Sequence, residues 1–292
     1  MLIARDRLEW RSGAESNRHT RICSPLHHHS ATGPEERDDI SVLGVARVKP
    51  GLAPRPVRFY KDAPYTRAHR MDIEAFDFTD ARNRMVDSQI RPNKVTDPRI
   101  LSAMRQLPRE RFLPPELRTR AYLDEDVPLG GGRVLMEPLV IARLVQLLAP
   151  GAGERALVVG AGVGYGAALL ASCGVRVTAL EEEPALAALA KGTLAELAPG
   201  VSVVVGPLAA GWKSGAPFDL VLIEGAVADI PDVIGAQLRA DTGRLATVRV
   251  RNGAIGSAVL AEPTPFGLRA QPMFDCATGL LQSLMAKPVF TF

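Results

Sequence analysis

The sequence predicts an α/β fold: a doubly wound, mostly parallel sheet preceded by an N-terminal helical cap. Three observations carry this. From Ala156 onward, short apolar runs alternate with alanine- and leucine-rich stretches, the pattern of strands joined by crossover helices. The first of these runs, Ala156-Leu157-Val158-Val159, feeds a glycine turn that opens a helix. Before Pro150 the apolar residues fall instead at helical spacing and are punctuated by prolines.

Taken in order, residues 1–70 show no sustained period and are rich in Arg, Ser, Pro and His, so they are expected to be disordered. The stretch Gly13–Pro34, with Glu15-Ser16-Asn17-Arg18, reads like translation through a transfer-RNA gene, which makes Met71 the expected start. Residues 71–150 form the expected cap and substrate-loop region. Thr79 or Asp80 caps a first helix carrying Met85, Val86 and Ile90, which stops before Pro92. Thr96-Asp97-Pro98 caps a second, with Ile100, Leu101, Met104 and Leu107 as its buried stripe. Arg109–Arg120 reads as a packed irregular connection around Phe112-Leu113, and Asp124–Gly132 as a polar loop. Pro138 opens a third helix, stopped by Pro150-Gly151.

Residues 151–292 form the expected cofactor-binding domain. Its strands are Ala156–Val159, Arg176–Leu180, Val201–Val205 and Phe218–Ile223, with helices at Ala167–Cys173 and Ala185–Leu197 between them. Ser257–Glu262 and Pro288–Phe292 read as the last strands, with Asp275–Ser283 a helix or loop between them.

Composition narrows the chemistry. With 47% hydrophobic and 23% charged residues the chain can bury a core, and every long apolar run is broken within the ~20 residues a membrane helix needs. No apolar run at Met1–Trp10 could serve as a secretory signal, so a cytoplasmic protein is expected. Cys23, Cys173 and Cys276 match no metal or redox spacing and are expected as free thiols. Residues 1–70 carry 13 Lys/Arg against 8 Asp/Glu, whereas 71–292 carry 22 against 24, so the net +3 comes from the leader. The body lacks the basic excess of a nucleic-acid binder. All five histidines precede Met71. Unless the leader folds into the site, Ser-His-Asp and Cys-His catalysis and His-ligated metals are excluded, and His27–His29 read as a loop rather than a metal site.

The glycine turn Gly160-Ala161-Gly162-Val163-Gly164 lets backbone N–H groups approach a ligand that side chains would block. A dinucleotide site wants G-x-G-x-x-G, but Tyr165 stands three residues after Gly162, and no Gly-Lys-Ser/Thr follows to make a P-loop. The G-x-G-x-G form favours S-adenosylmethionine. Glu181, 21 residues after Gly160, closes the second strand where it could accept hydrogen bonds from ribose hydroxyls. Of Glu181, Glu182 and Glu183, two are expected to be a solvated acidic helix start. Tyr165 is as readily a packing residue as a cofactor contact, and Trp212 and Phe218 are expected in the core. Glu224, at the carboxyl end of the fourth strand, is a candidate cofactor or acceptor contact.

From Ala81 to Val250 the chain resembles the protein-L-isoaspartate O-methyltransferases. The shared runs are Met85-Val86-Asp87-Ser88-Gln89-Ile90, Leu107-Pro108-Arg109-Glu110-Arg111-Phe112, Val127-Pro128-Leu129-Gly130, Glu137-Pro138, the glycine turn with Tyr165, Gly211-Trp212, Pro217-Phe218-Asp219 and Ile230-Pro231. The resemblance implies a Rossmann-like, seven-stranded methyltransferase sheet, S-adenosylmethionine as methyl donor, and an isoaspartyl α-carboxylate in a damaged protein as acceptor. The charge balance, the broken apolar runs and the placement of the histidines lead us to expect no nucleic-acid or membrane partner and no metal, and a monomer is expected. Such chemistry suits a site without histidine, because a carboxylate is already a nucleophile at neutral pH and needs only alignment and desolvation.

Several positions depart from the family pattern. Where the family has Thr-Ile-Ser-Gln-Pro in its substrate loop, this chain has Val134-Leu135-Met136-Glu137-Pro138. Met136 thus stands at the position of the substrate-contacting serine and cannot donate a hydrogen bond, Glu137 repels an acidic acceptor when ionised, and Arg133, which in a glycine-rich loop more readily reads as simply solvated, could partly compensate. On the cofactor side the family's acid two residues before the first glycine is Val158, and its Gly-Asp-Gly after the third strand reads Gly206-Pro207-Leu208. A lost charge-assisted hydrogen bond costs about 1.5–3 kcal/mol, so two such losses predict cofactor binding weakened by about two or more powers of ten. Two alternatives therefore stand beside isoaspartyl methylation. One is a non-catalytic binding protein on the same fold, and the other is a methyltransferase for a different acceptor.

Overall fold

The computed structural model describes residues 76–251 and 255–285; the readings for residues 1–70 and for a strand at Pro288–Phe292 fall outside them. Three helices come first: α1 (Phe78–Met85), α2 (Pro98–Gln106) and α3 (Pro138–Leu147). Asp77, not Thr79 or Asp80, caps α1, its carboxylate accepting from the Asp80 N–H. The helix then widens into a π turn at Val86–Ile90 before the chain reaches Pro92. Asp97 caps α2 as expected, with Pro98 in its first turn. The irregular connection contains two 3₁₀ segments, Arg109–Phe112 and Pro115–Arg120.

The segment read as a polar loop is instead a small antiparallel hairpin, β1 (Val127–Gly130) and β2 (Arg133–Leu135). Three glycines in its turn hid the pairing. The rest alternates β3 (Arg155–Val159), α4 (Tyr165–Ser172), β4 (Arg176–Glu181), α5 (Pro184–Leu197), β5 (Ser202–Val205), β6 (Leu220–Val227), the single turn α6 (Asp232–Gly235) and β7 (Arg244–Arg249). β8 (Ser257–Thr264) and β9 (Gly267–Asp275) complete the sheet as a hairpin. The sequence reading missed β7 and β9. Pro263 and Pro265 look like breakers, but Pro263 lies at the end of β8 beyond its last pairing with β7 and Pro265 lies in the turn, while Pro272 is tolerated within β9 because that strand is a sheet edge.

The seven strands run in the order β5-β4-β3-β6-β7-β8-β9, parallel from β5 to β7 and antiparallel in the last two pairings. Successive residues of the central strand serve opposite faces. Ala156 and Val158 join the core beneath the cap helices, whereas Leu157 and Val159 join the core on the other face with Leu180, Phe218 and Ile223. A strand covered on both sides must be apolar throughout, and β6 is accordingly buried along its length. α4 is apolar all round because the cap packs over it. Cap and sheet thus share one core, in which Met85, Ile100, Met104 and Leu144 meet Leu169 and Leu170.

Register positions the site. Val159 is level with Leu180 on β4 and with Ile223 on β6, so the residues that follow, Gly160, Glu181 and Glu224, lie side by side at the carboxyl ends of three adjacent strands. The order reverses on either side of β3, the place where open α/β sheets bind ligands.

Candidate functional site

Gly160, Gly162 and Gly164 have φ of +72°, +57° and +94°, left-handed values that an L side chain resists. The turn is pinned by Gly160 and Ala161 N–H groups donating to the Leu180 carbonyl, at 2.9 and 3.0 Å, and it delivers the chain into α4. Glu181 is wholly buried beside it. Its Oε2 accepts the Gly162 N–H at 2.7 Å, while Oε1 accepts the Glu182 and Glu183 N–H groups at 2.9 and 3.0 Å.

Oε1 also takes Nη1 of Arg133 at 2.7 Å, and the same guanidinium donates Nη2 to the Gly160 carbonyl at 2.7 Å. The pair is 11% and 0% exposed at its side chains. Arg133 is therefore held on the glycine turn rather than solvated. Leu281 lies against the same turn: a Cβ on Gly160 would meet both its methyls and Arg133 Nη2 at 3.2 Å.

The loop carrying Glu137 is held by Asp126, whose Oδ1 accepts the Glu137 N–H at 2.7 Å and whose Oδ2 accepts Thr278 Oγ1 at 2.8 Å and the Gly279 N–H at 3.1 Å. Leu135, Met136 and Pro138 are buried, and Val134 packs near Gly279. Burial, and then Asp124 and Asp126, push the Glu137 carboxyl up to about 7. Its charge at neutral pH is thus only partial, which softens the repulsion expected toward an acidic acceptor.

Arg109 is buried in full and had no place among the sequence candidates. Its Nε donates to the Ala121 carbonyl at 2.7 Å, its Nη2 to the Met136 carbonyl, and its guanidinium stacks 4.6 Å from the Tyr165 ring centroid. Tyr165 meets Phe112 edge-on at 5.3 Å. Burial holds the Arg109 pKa below its ordinary value.

Glu224 lies over α4, its Oε2 2.5 Å from where a Cβ on Gly166 would be, and that oxygen has no hydrogen-bond partner. Burial raises its pKa from 4.5 to about 8, against the opposing pull of Arg133 and Arg109 and with Glu181 adding to the rise. The folded protein therefore keeps a proton between those values that the unfolded chain releases. Stability contributed by this group is complete below pH 4.5 and is lost as pH rises through 8, by at most about 1.4 kcal/mol per pH unit. Urea unfolding of Glu224→Gln should show a flatter profile across that window and greater stability than the parent at pH 8. A profile as steep as the parent's would contradict this.

The structure brings Gly160, Ala161, Gly162, Arg133, Glu181 and Glu182 together. It sets Met136, Tyr165 and Leu208 into the core, leaves Pro207 exposed past β5, and places Gly164 under Leu194 of α5. Phe218 is buried in the core on the face of the sheet away from the cap helices, and Trp212 packs partly buried against it. Cys173 and Cys276 are free thiols. Asp126 and Leu281 were missed by sequence reasoning, because each acts across a long chain separation with no local signal. A groove of about 680 Å³ adjoins the turn, lined by Pro114, Pro115, Leu117, Leu129, Val163 and Leu189. Among the described residues no helix is long and apolar enough to cross a membrane, and no cluster of three or more His, Cys, Asp or Glu could hold a metal.

A family model described as protein-L-isoaspartate(D-aspartate) O-methyltransferase matches residues 80–253. Among curated relatives, the protein-L-isoaspartate O-methyltransferase of Methylorubrum extorquens (strain PA1) is 43% identical over 169 residues, 58% of this chain and 74% of that protein. The protein-L-isoaspartate O-methyltransferase 1 of Rhodopseudomonas palustris (strain HaA2) is 42% identical over 173 residues, 59% and 70%. A solved protein-L-isoaspartate O-methyltransferase superposes with a TM-score of 0.60 at 21% identity, covering 71% of this chain and 67% of its own. A Plasmodium falciparum protein assigned the same activity, solved with S-adenosyl-L-homocysteine, gives 0.59 at 16% identity, covering 69% and 98%. At those identities the two structures show the shared fold.

Proposed function

We propose that this chain, which belongs to the protein-L-isoaspartate(D-aspartate) O-methyltransferase family, methylates the α-carboxylate of L-isoaspartyl residues with S-adenosylmethionine as donor. The observation that carries the reading is the level placement of Gly160, Glu181 and Glu224 at the strand ends where the sheet order reverses. The cofactor, when bound, supplies a methyl group on a sulfonium, already activated toward a carboxylate oxygen.

The residues present fit such a cofactor. The left-handed turn offers bare backbone at Gly160 and Gly162, and Glu181 stands at its edge as a carboxylate that hydroxyl donors can reach in place of Arg133. In this reading Gly160, Ala161, Gly162 and Glu181 hold the cofactor. Glu182, Glu224, Gly164 and Pro207 bound its site, and Tyr165 and Leu208 support it from the core. Val158, buried on β3, offers no polar atom where the family has an acid.

The acceptor polypeptide is assigned to the groove beside Leu129 and Val163, next to the loop of Arg133, Val134, Leu135, Met136, Glu137 and Pro138. The acceptor carboxylate needs no general base, and the work of the chain is to orient it and exclude water. The near balance of 22 basic and 24 acidic residues in 71–292 supports action without nucleic acid, and no described helix supports a membrane anchor. A cytoplasmic monomer completes the reading.

Calorimetric titration of the full chain with S-adenosylhomocysteine tests the cofactor half of this. Saturable binding at micromolar to submillimolar ligand is expected, weaker than a site keeping every acid would give. A folded protein that shows no heat at millimolar ligand would remove the methyltransferase reading.

A further inference from the structure

Arg133 and Leu281 occupy the face of the glycine turn that the proposed function gives to the cofactor. The two side chains arrive on different segments that are fastened to each other. Asp126, just before β1, accepts from Thr278 and Gly279, and the Ala226 and Leu281 N–H groups pair with Gly279 and Ala226 carbonyls at 2.8 and 2.9 Å. Ser283 Oγ donates to Glu182 at 2.6 Å. Hairpin and C-terminal segment therefore form one cover, and its two inward contacts are a guanidinium on Glu181 and an isobutyl group on Gly160.

We propose that Arg133 is an internal competitor for the cofactor: a latch that pairs with Glu181 in the free protein and must leave the glycine turn before a cofactor can lie on it. The proposal rests on the methyltransferase reading of the site. Three features give it physical content. Glu181 Oε1 already accepts three hydrogen bonds, so a ribose hydroxyl gains that oxygen only by displacing a donor, and Arg133 is the one that is not part of the Glu181–Glu183 backbone. Glu181 keeps its three N–H donors once the arginine leaves, so its charge stays solvated by the backbone.

The latch also has a hinge. Gly130, Gly131 and Gly132 precede Arg133 with φ of +93°, +60° and +78°, and Gly132 has open space around it. Gly130 ends β1 opposite Arg133, and the two turn residues between them, Gly131 and Gly132, lack side chains, so the open end of the hairpin can part and let Arg133 swing. A state closed most of the time lowers apparent affinity by the fraction that is open, so a latch and a cofactor-holding arginine predict opposite effects of its removal.

The test is calorimetric titration of S-adenosylhomocysteine into the full-length protein, its Arg133→Met and Arg133→Lys variants, and Leu281→Ala, which clears the same face without touching the ion pair. Circular dichroism confirms that each is folded. The expected result is binding about tenfold tighter in Arg133→Met, tighter by a smaller factor in Leu281→Ala, and near the parent value in Arg133→Lys. Weaker binding in Arg133→Met, restored by lysine, would overturn the latch and make Arg133 a cofactor ligand, leaving the proposed function standing. Unchanged binding in both Arg133→Met and Leu281→Ala would likewise overturn it. No binding by any of the four folded proteins would remove the cofactor reading and the latch with it.

Discussion

Replacing Glu181 with alanine is expected to destabilise the folded chain by about 3–5 kcal/mol, the range for breaking a buried ion pair on one side. The change strands the Arg133 guanidinium, 11% exposed, against a carbonyl as its sole remaining partner, and it frees the Gly162, Glu182 and Glu183 N–H groups in the interior. For a domain of this size the melting temperature should fall by about 10 °C. Because Glu181 also shapes the glycine turn, binding of S-adenosylhomocysteine should be lost even at temperatures where the variant is folded. A thermal melt within 2 °C of the parent, a change of about 1 kcal/mol or less, would show that the network of four donors carries little of the fold.

Arg109→Ala is the second large effect, about 3–5 kcal/mol by a different route. It opens a cavity beneath the Tyr165 ring and leaves the Ala121 and Met136 carbonyls without their donor. Ala121 directly follows the irregular connection and Met136 lies between β2 and α3, so Arg109 ties those two segments together. Arg109→Lys keeps the charge, but a single ammonium cannot reproduce the planar fork across two carbonyls, so a loss of about 2 kcal/mol should remain. Chemical denaturation of the two variants separates these terms. Full recovery by lysine would mean that the fork geometry is unimportant.

These two residues also mark where the sequence was legible and where it was not. β3, the glycine turn and Glu181 could be read in advance because each signal is local: four apolar residues, three glycines at fixed spacing, and an acid at the end of the next strand. The π turn after Met85 was not legible, since its residues keep helical spacing. Arg109 and Arg111 sit two apart in the same run, yet one is wholly buried and the other pairs with Glu196 at the surface, and only the fold decides between them. The partnership of Arg133 with Glu181 spans 48 residues and has no periodicity to announce it. A lone arginine after three glycines reads as a solvated loop until the hairpin is seen. Leu281 was hidden for the same reason, in a segment held by contacts to Ala226, Asp126 and Glu182 that are all distant in sequence.

The substituted loop positions take on a physical meaning once they are placed. Met136 packs among apolar residues and presents its carbonyl to Arg109, so its side chain serves the core. The acceptor-holding donors in the proposed function must then come from the backbone of the loop, or from Arg133 once it is released from Glu181.

The most direct test of the central claim is transfer of a labelled methyl group from S-adenosylmethionine to a matched pair of peptides, one carrying L-isoaspartate and the other L-aspartate at the same position. The account predicts base-labile methyl ester on the isoaspartyl peptide and none above background on its partner. Label on neither peptide, from a folded protein that binds S-adenosylhomocysteine, would contradict it and move the acceptor to a different chemistry.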